Sequence, residues 1–176
     1  LVNESVNFQK SEYRDAMEKT AKKLAAKTGG GKETSSSKNI SPGHIFVSSG
    51  YTDLGLPSGT IWKDFNATGF YTYNEAVSQF GSRLPSKEQW EELRTKCEWV
   101  WCGHGYKVIG PNGKSILLPA GGCRSQYDEV GIYGYYWAYS PNGGTTALRL
   151  IFSMFHATLG ESSRSDGLSV RLVQNK

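Results

Sequence analysis

The chain has 176 residues, 38% hydrophobic and 20% charged, with a formal net charge of +4, which fits one globular domain plus an appendage rather than two full domains. No apolar run is long enough to cross a bilayer as a helix, so membrane insertion by this segment is not expected. The cationic excess crowds into the N-terminal stretch, at Lys10, Arg14, Lys19, Lys22, Lys23, Lys27 and Lys32, and the near-neutral remainder gives a nucleic-acid partner little support.

Residues 9–28, QKSEYRDAMEKTAKKLAAKT, hold good helix formers with Tyr13, Met17, Ala21 and Leu24 on one stripe, and Gly29, Gly30 and Gly31 end the run. An amphipathic helix within residues 1–28 is expected, its stripe packed on the domain, on a second copy or on an upstream region. Residues 29–41 are low in complexity and rich in Gly, Ser and Lys; they bury too little apolar surface to offset their ordering entropy and read as a linker. The folded domain is expected over residues 42–176.

Within it, HIFVSS (44–49) and GTIW (59–62) read as strands. TYNEAVSQF (72–80) and SKEQWEELRTKC (86–97) read as helices, because Thr72 with Glu75 and Ser86 with Gln89 fit the capping box. Gly81 stops the first helix and Pro85 sets the entry of the second. YKVIGPNGKSILLPA (106–120) reads as a hairpin turning at Pro111-Asn112-Gly113. YGYYWAYS (133–140), TALRLIFS (146–153) and GLSVRLV (167–173) follow as strands with Gly- or Ser-rich turns between them. Two helices followed by a turn-rich antiparallel region define an α+β domain.

Several ordered motifs carry a resemblance: TDLGLPSGTIW (52–62), RLPSKEQWEEL (83–93), GYKVIGPNGKSILLPAGGCR (105–124), VGIYGYYWAYSP (130–141) and GLSVRLV (167–173). Together they resemble the Fibrobacter succinogenes major paralogous domain, a branch of the C-type-lectin fold similar to the formylglycine-generating-enzyme subgroup. The resemblance spans roughly residues 50–174 and implies two helices flanking a twisted antiparallel sheet, with the chain ends close together. It also points to the variable proteins diversified by retroelements, which display a ligand face on this scaffold. Family members usually read YWSSTP and R-x-x-G-x-SVRPV; here the chain reads YWAYSP, RSDGLSVRLV and, between them, FSMFHATLGESS (152–163). The departures sit between matching framework residues: Trp137, Ala147, Leu150, Phe152, Arg164, Gly167, Ser169, Val170 and Arg171. Diversification of Asn codons yields no Lys, Gln or Trp, and none occurs between residues 138 and 170.

Strand alternation places Leu148, Leu150, Phe152 and Met154 on one side, expected to be core, and Arg149, Ile151, Ser153 and Phe155 on the other. In residues 133–139 aromatics fall on both sides, so Trp137 and most tyrosines are expected to be scaffold. Tyr139, at the strand end where the family prefers a small polar residue, is expected to join Arg149, Ile151, Phe155, His156, Thr158, Asp166 and Leu168 in a ligand-binding face. Tyr, Phe and Arg are the types that dominate interface energetics.

Other chemistries fit less well. GPNGKS lacks the earlier Gly and following helix of a phosphate-binding loop. Cys97, Cys102 and His104 lack a second ligand pair for zinc, and three cysteines make no full disulfide framework. Cys123 has no late cysteine partner for the copper chemistry of formylglycine-generating enzymes. No G-x-S-x-G motif raises the prior for a serine nucleophile near His156 and Asp166, and SPNGG offers too few oxygen ligands for calcium. The resulting expectation is a ligand-binding domain without catalytic activity, metal or cofactor. It recognises a protein or glycan on another cell or particle, as a cell-surface or virion-associated protein; a fixed-specificity adhesin-type domain is the competing reading, and an enzyme of the formylglycine-generating type, which would need a concave pocket of converging titratable groups, is the third.

Overall fold

A computed structural model describes residues 50–125, 129–141 and 143–175. The N-terminal helix, the linker and the strand expected at 44–49 lie outside the described residues. Among these residues the fold is mixed α+β, with two short helices and three small antiparallel sheets.

The first sheet joins the two ends of the domain. Strand β2 (Thr60–Lys63) is flanked by β1 (Tyr51–Asp53) and by the C-terminal β9 (Val173–Asn175), both antiparallel to it. Thr60 and Trp62 point inward along β2, while Ile61 and Lys63 are half-buried, the alternation a one-sided strand requires. Helix α1 (Tyr73–Phe80) and helix α2 (Lys87–Lys96) follow. Both start with the expected reciprocal capping box, from Thr72 with Glu75 and from Ser86 with Gln89. Gly81 terminates α1 at φ 53°, a conformation that strains any residue with a Cβ. Helix α2 anchors itself through fully buried Trp90 and Leu93.

The second sheet contains β3 (Glu98–Trp101), β4 (Gly105–Ile109) and β5 (Ser115–Pro119), with β4 central; β4 and β5 form the expected hairpin. The third contains β6 (Gly134–Trp137), β7 (Thr146–Ser153) and β8 (His156–Ser163), with β7 central. Strand β8 occupies a stretch that sequence reasoning left as a turn-rich connection. Residues 167–173 are not one strand either: Leu168 and Ser169 make single bridges to Tyr71 and Tyr136, and strand structure resumes at Val173.

The third sheet is the middle layer. One of its faces contributes Tyr136, Leu150 and Phe152 to a core with Trp62, Trp90, Tyr106, Val108 and Leu118. The opposite face contributes Tyr135, Trp137 and Ala147 to a second core with Tyr73, Leu84, Leu168 and Val170. Packing on the first face is tight enough that a Cβ at Gly134 would lie 2.1 Å from the Phe152 ring.

A buried polar network ties the sheets together. Arg171, 1% exposed, donates from Nη1 to the Lys63 carbonyl (2.6 Å) in the first sheet and from Nη2 to the Leu117 carbonyl (2.5 Å) in the second. It also bonds to the Tyr136 hydroxyl of the third, which donates to the Pro119 carbonyl (2.7 Å) and accepts from Asn66 Nδ2 (3.0 Å). Burial pushes the Tyr136 phenol up to about 12. A guanidinium shared among carbonyls of separate elements costs desolvation and fixes their relative positions.

Candidate ligand-binding face

Paired residues in an antiparallel ladder share a face, so the register decides which side chains can meet a ligand together. Trp137 pairs with Arg149 and Arg149 with Gly160; Tyr135 pairs with Ile151 and Ile151 with Thr158; Ser153 pairs with His156. Arg149, Ile151, Thr158 and His156 therefore lie on one side of the third sheet, as alternation along TALRLIFS requires. The second core covers the Tyr135–Trp137–Ala147 part of that side. Arg149 and Ile151 remain half-buried, and Thr158 and His156 are exposed.

Phe155 is not on the strand face. Strand β7 ends at Ser153, paired with His156, and Met154 and Phe155 form the two-residue tip between β7 and β8, where they are 54% and 84% exposed. This corrects the expectation that Met154 joins the core: the chain turns before the alternation can carry it inward. Ser153, expected on the open side, is buried, bonded through its hydroxyl to His156 Nδ1 (3.3 Å) and through its carbonyl to the Tyr106 hydroxyl (2.9 Å).

Leu168 is also corrected. It is 2% exposed, exchanges backbone hydrogen bonds with Tyr71 in both directions (2.9 Å each), and sits in the second core. The bridge turns its side chain under the sheet and removes it from any binding face. Asp166 is half-buried in the turn after β8, its amide donating to the Ser163 carbonyl (2.9 Å). Tyr139 is 38% exposed just beyond β6, pinned by its amide to the Pro85 carbonyl (2.7 Å).

The remaining residues span the sheet from end to end. Trp137 is level with Arg149, which puts Tyr139 near Ala147, about 20 Å along β7 from Ser153 at ~3.3 Å per residue, with the Met154–Phe155 tip just beyond. A standard interface of ~800 Å² per partner is roughly 30 Å across, so one partner can cover both ends.

An aromatic ladder that sequence reasoning missed links the middle of the face to the hairpin tip. Tyr133 stacks on Tyr135 (6.0 Å, 23°), and the Arg149 guanidinium lies over the Tyr135 ring at 4.7 Å. Burial, with a hydrogen bond to Glu129, holds the Tyr135 phenol far above its ordinary range. Tyr133 also lines a groove of ≈190 Å³ beside the tip, with Trp101, Ile132, Met154 and Phe155 among its other walls. Ile132 is 53% exposed. No carboxylate, imidazole or thiol lines the groove, and the described residues include no cluster of His, Cys, Asp and Glu able to hold a metal ion. The signal for β8 was present in HATLGESS: Ala157 and Leu159 alternate with exposed His156 and Thr158 and pack on the first core.

The cysteines are free. Cys97 is half-buried, its thiol pushed up to about 11 by burial and by nearby Glu92; Cys102 is exposed and Cys123 is buried. No helix among the described residues is long and apolar enough to cross a membrane. Comparison with protein-family models, with curated proteins and with solved structures finds no match to the chain.

Proposed function

We propose that this domain is a non-catalytic binding module of C-type-lectin-like architecture whose recognition surface is the open side of the β6–β7–β8 sheet together with the β7–β8 tip. The observation that carries the reading is a separation of roles along the last third of the chain. Positions matching the family framework are buried except for half-buried Arg164: Trp137, Ala147, Leu150, Phe152, Ser169, Val170 and Arg171 are all 4% exposed or less, and Gly167 is buried. Of the positions that depart from it, Tyr139, Met154, Phe155, His156 and Thr158 are exposed and Arg149, Ile151 and Asp166 half-buried, while Ser153 and Leu168 are buried. A frame that buries its own determinants leaves the outward positions free to change without loss of fold. This is what a retroelement-diversified variable protein requires. Two flanking helices and a first sheet that pairs residues 51–53 and 173–175 with one central strand support the lectin-like assignment.

An exposed phenylalanine beside an apolar groove favours a protein partner, since such anchors dominate protein interfaces. The setting proposed is a cell surface or a virion. The experiment is a capture screen of the full chain against surface proteins and glycans, repeated with Tyr139, Arg149 and Phe155 changed together to Ala. Lost binding at an unchanged melting temperature supports the face. Retained binding removes it, and so does loss of folding. A reverse transcriptase gene and a near-copy of the 3′ coding segment beside the gene distinguish a diversified face from a fixed adhesin-type specificity.

A further inference from the structure

The middle of the face carries a cation whose binding valence is only partly used. Arg149 donates from Nε to the Glu161 carbonyl (3.3 Å) and has its guanidinium over the Tyr135 ring, 4.7 Å from the centroid, so it is held from two directions. Among the described residues no hydrogen-bond or ion-pair partner meets its two Nη groups. The acidic groups nearby are already turned elsewhere. Glu129 is bonded to the Tyr135 hydroxyl, and Glu161, paired with Leu148 on the other face, takes the Thr146 hydroxyl (2.7 Å). The other arginine on this side, Arg164, lies over Tyr73 at 4.4 Å and donates from Nε to the Thr146 carbonyl (2.9 Å). The residue opposite Arg149 in register is Gly160, and a Cβ placed there would meet nothing within 4 Å. Beside that notch, Thr158 and Ser162 belong to the same face by register.

We infer that Arg149 is the specificity determinant of the face and reads a carboxylate of a protein ligand, an Asp or Glu side chain seated in the Gly160 notch between Thr158 and Ser162. The inference rests on the proposed binding face and names what that face selects. A planar guanidinium held by a ring and a carbonyl presents its free edge as a fork, the geometry that takes both oxygens of a carboxylate. Electrostatic complementarity points the same way, because the fork is cationic and no carboxylate among the described residues is seen ion-paired with it. The surroundings favour a protein acid over an acidic sugar: Ile151 flanks the fork, and the Tyr133–Tyr135 stack leads from it to the apolar groove at the tip.

The test uses the full chain labelled with ¹⁵N, following the Arg149 Nε–H resonance, assigned by its loss in Arg149→Lys. The probes are the capped dipeptides acetyl-Asp-Leu-amide and acetyl-Asn-Leu-amide, and free N-acetylneuraminic acid. The Asp peptide should shift the resonance saturably, with the Asn peptide weaker by about tenfold or more, the usual worth of a charge-assisted pair. Other face resonances should report weaker Asp-peptide binding in Arg149→Lys, which keeps the charge and loses the fork, and none in Arg149→Met. Equal response to Asp and Asn peptides, a response to the sugar acid alone, or no response to any probe overturns the inference. A surface protein captured by the wild type and bound equally well by folded Arg149→Met leaves the display face standing and removes the carboxylate reading alone.

Discussion

Phe152 and Phe155 stand three positions apart in one hairpin and should respond oppositely to truncation. Phe152 is fully buried, stacked on Tyr136 (5.8 Å, 21°) and edge-on to Tyr106 (5.4 Å) and Trp99 (6.2 Å). Its replacement by Ala removes the ring and leaves a cavity that the surrounding rings cannot close, at a cost of ~3–5 kcal/mol. Phe155 is 84% exposed, so only 16% of its surface is covered. On a phenylalanine surface of ~200 Å² that is ~30 Å², worth ~0.8 kcal/mol at ~25 cal/mol/Å². At ~3–5 °C per kcal/mol for a domain of this size, Phe152→Ala should lower the melting temperature by ~9–25 °C and Phe155→Ala by ~4 °C or less. Urea unfolding followed by tryptophan fluorescence gives both values on one scale. A Phe155→Ala loss more than half that of Phe152→Ala would refute the reasoning, because it would mean that the tip is packed rather than displayed.

Further outcomes follow from the same structure. Arg171→Met keeps the buried alkyl stem but strands the Lys63 and Leu117 carbonyls; at ~1–3 kcal/mol each the loss should be ~2–6 kcal/mol in urea unfolding, and a change under 1 kcal/mol would count against the network. Leu168→Asp should prevent folding while Met154→Asp leaves the circular dichroism melt near that of the wild type, the reverse of what alternation alone predicts for the pair. The Glu75 carboxyl is held below its ordinary 4.5, first by the Thr72 amide, then by the Thr72 hydroxyl and Arg124. Its folded value being the lower one, its contribution is full above 4.5 and is lost as pH falls below that through the folded value. Glu75→Gln should therefore flatten the fall of stability as pH drops below 4.5, and an unchanged slope there would contradict this. With a maleimide at pH 7, Cys102 should react rapidly and Cys97 and Cys123 slowly, as mass spectrometry of partly labelled protein would show; fast labelling of Cys123 would place it at the surface.

Much of the frame was legible in the sequence because its signals are local. Thr72 with Glu75 and Ser86 with Gln89 each solve a helix end within four residues, and Pro111-Asn112-Gly113 closes a hairpin between two apolar runs. The face was legible in part. Alternation put Arg149 and Ile151 on one side, and the register adds Thr158 and His156 from β8. It failed where alternation stops. A two-residue tip throws Met154 outward, and a single bridge to Tyr71 turns Leu168 inward. The groove was out of reach for another reason: Trp101, Ile132, Tyr133 and Phe155 come from separate parts of the chain, and only the third dimension puts them together. The Arg149–Tyr135 stack is of the same kind, a contact between diagonal neighbours on adjacent strands.

The most direct measurement is the melting behaviour of two small libraries made in the full chain, one randomising Tyr139, Phe155, His156 and Thr158, the other randomising Tyr136, Leu150 and Phe152. If the sheet is a self-sufficient frame for an adjustable surface, most members of the first library should fold cooperatively within a few degrees of the parent, and almost none of the second should. General unfolding of the first library would contradict the account, because those side chains would then be holding the fold together instead of facing a ligand.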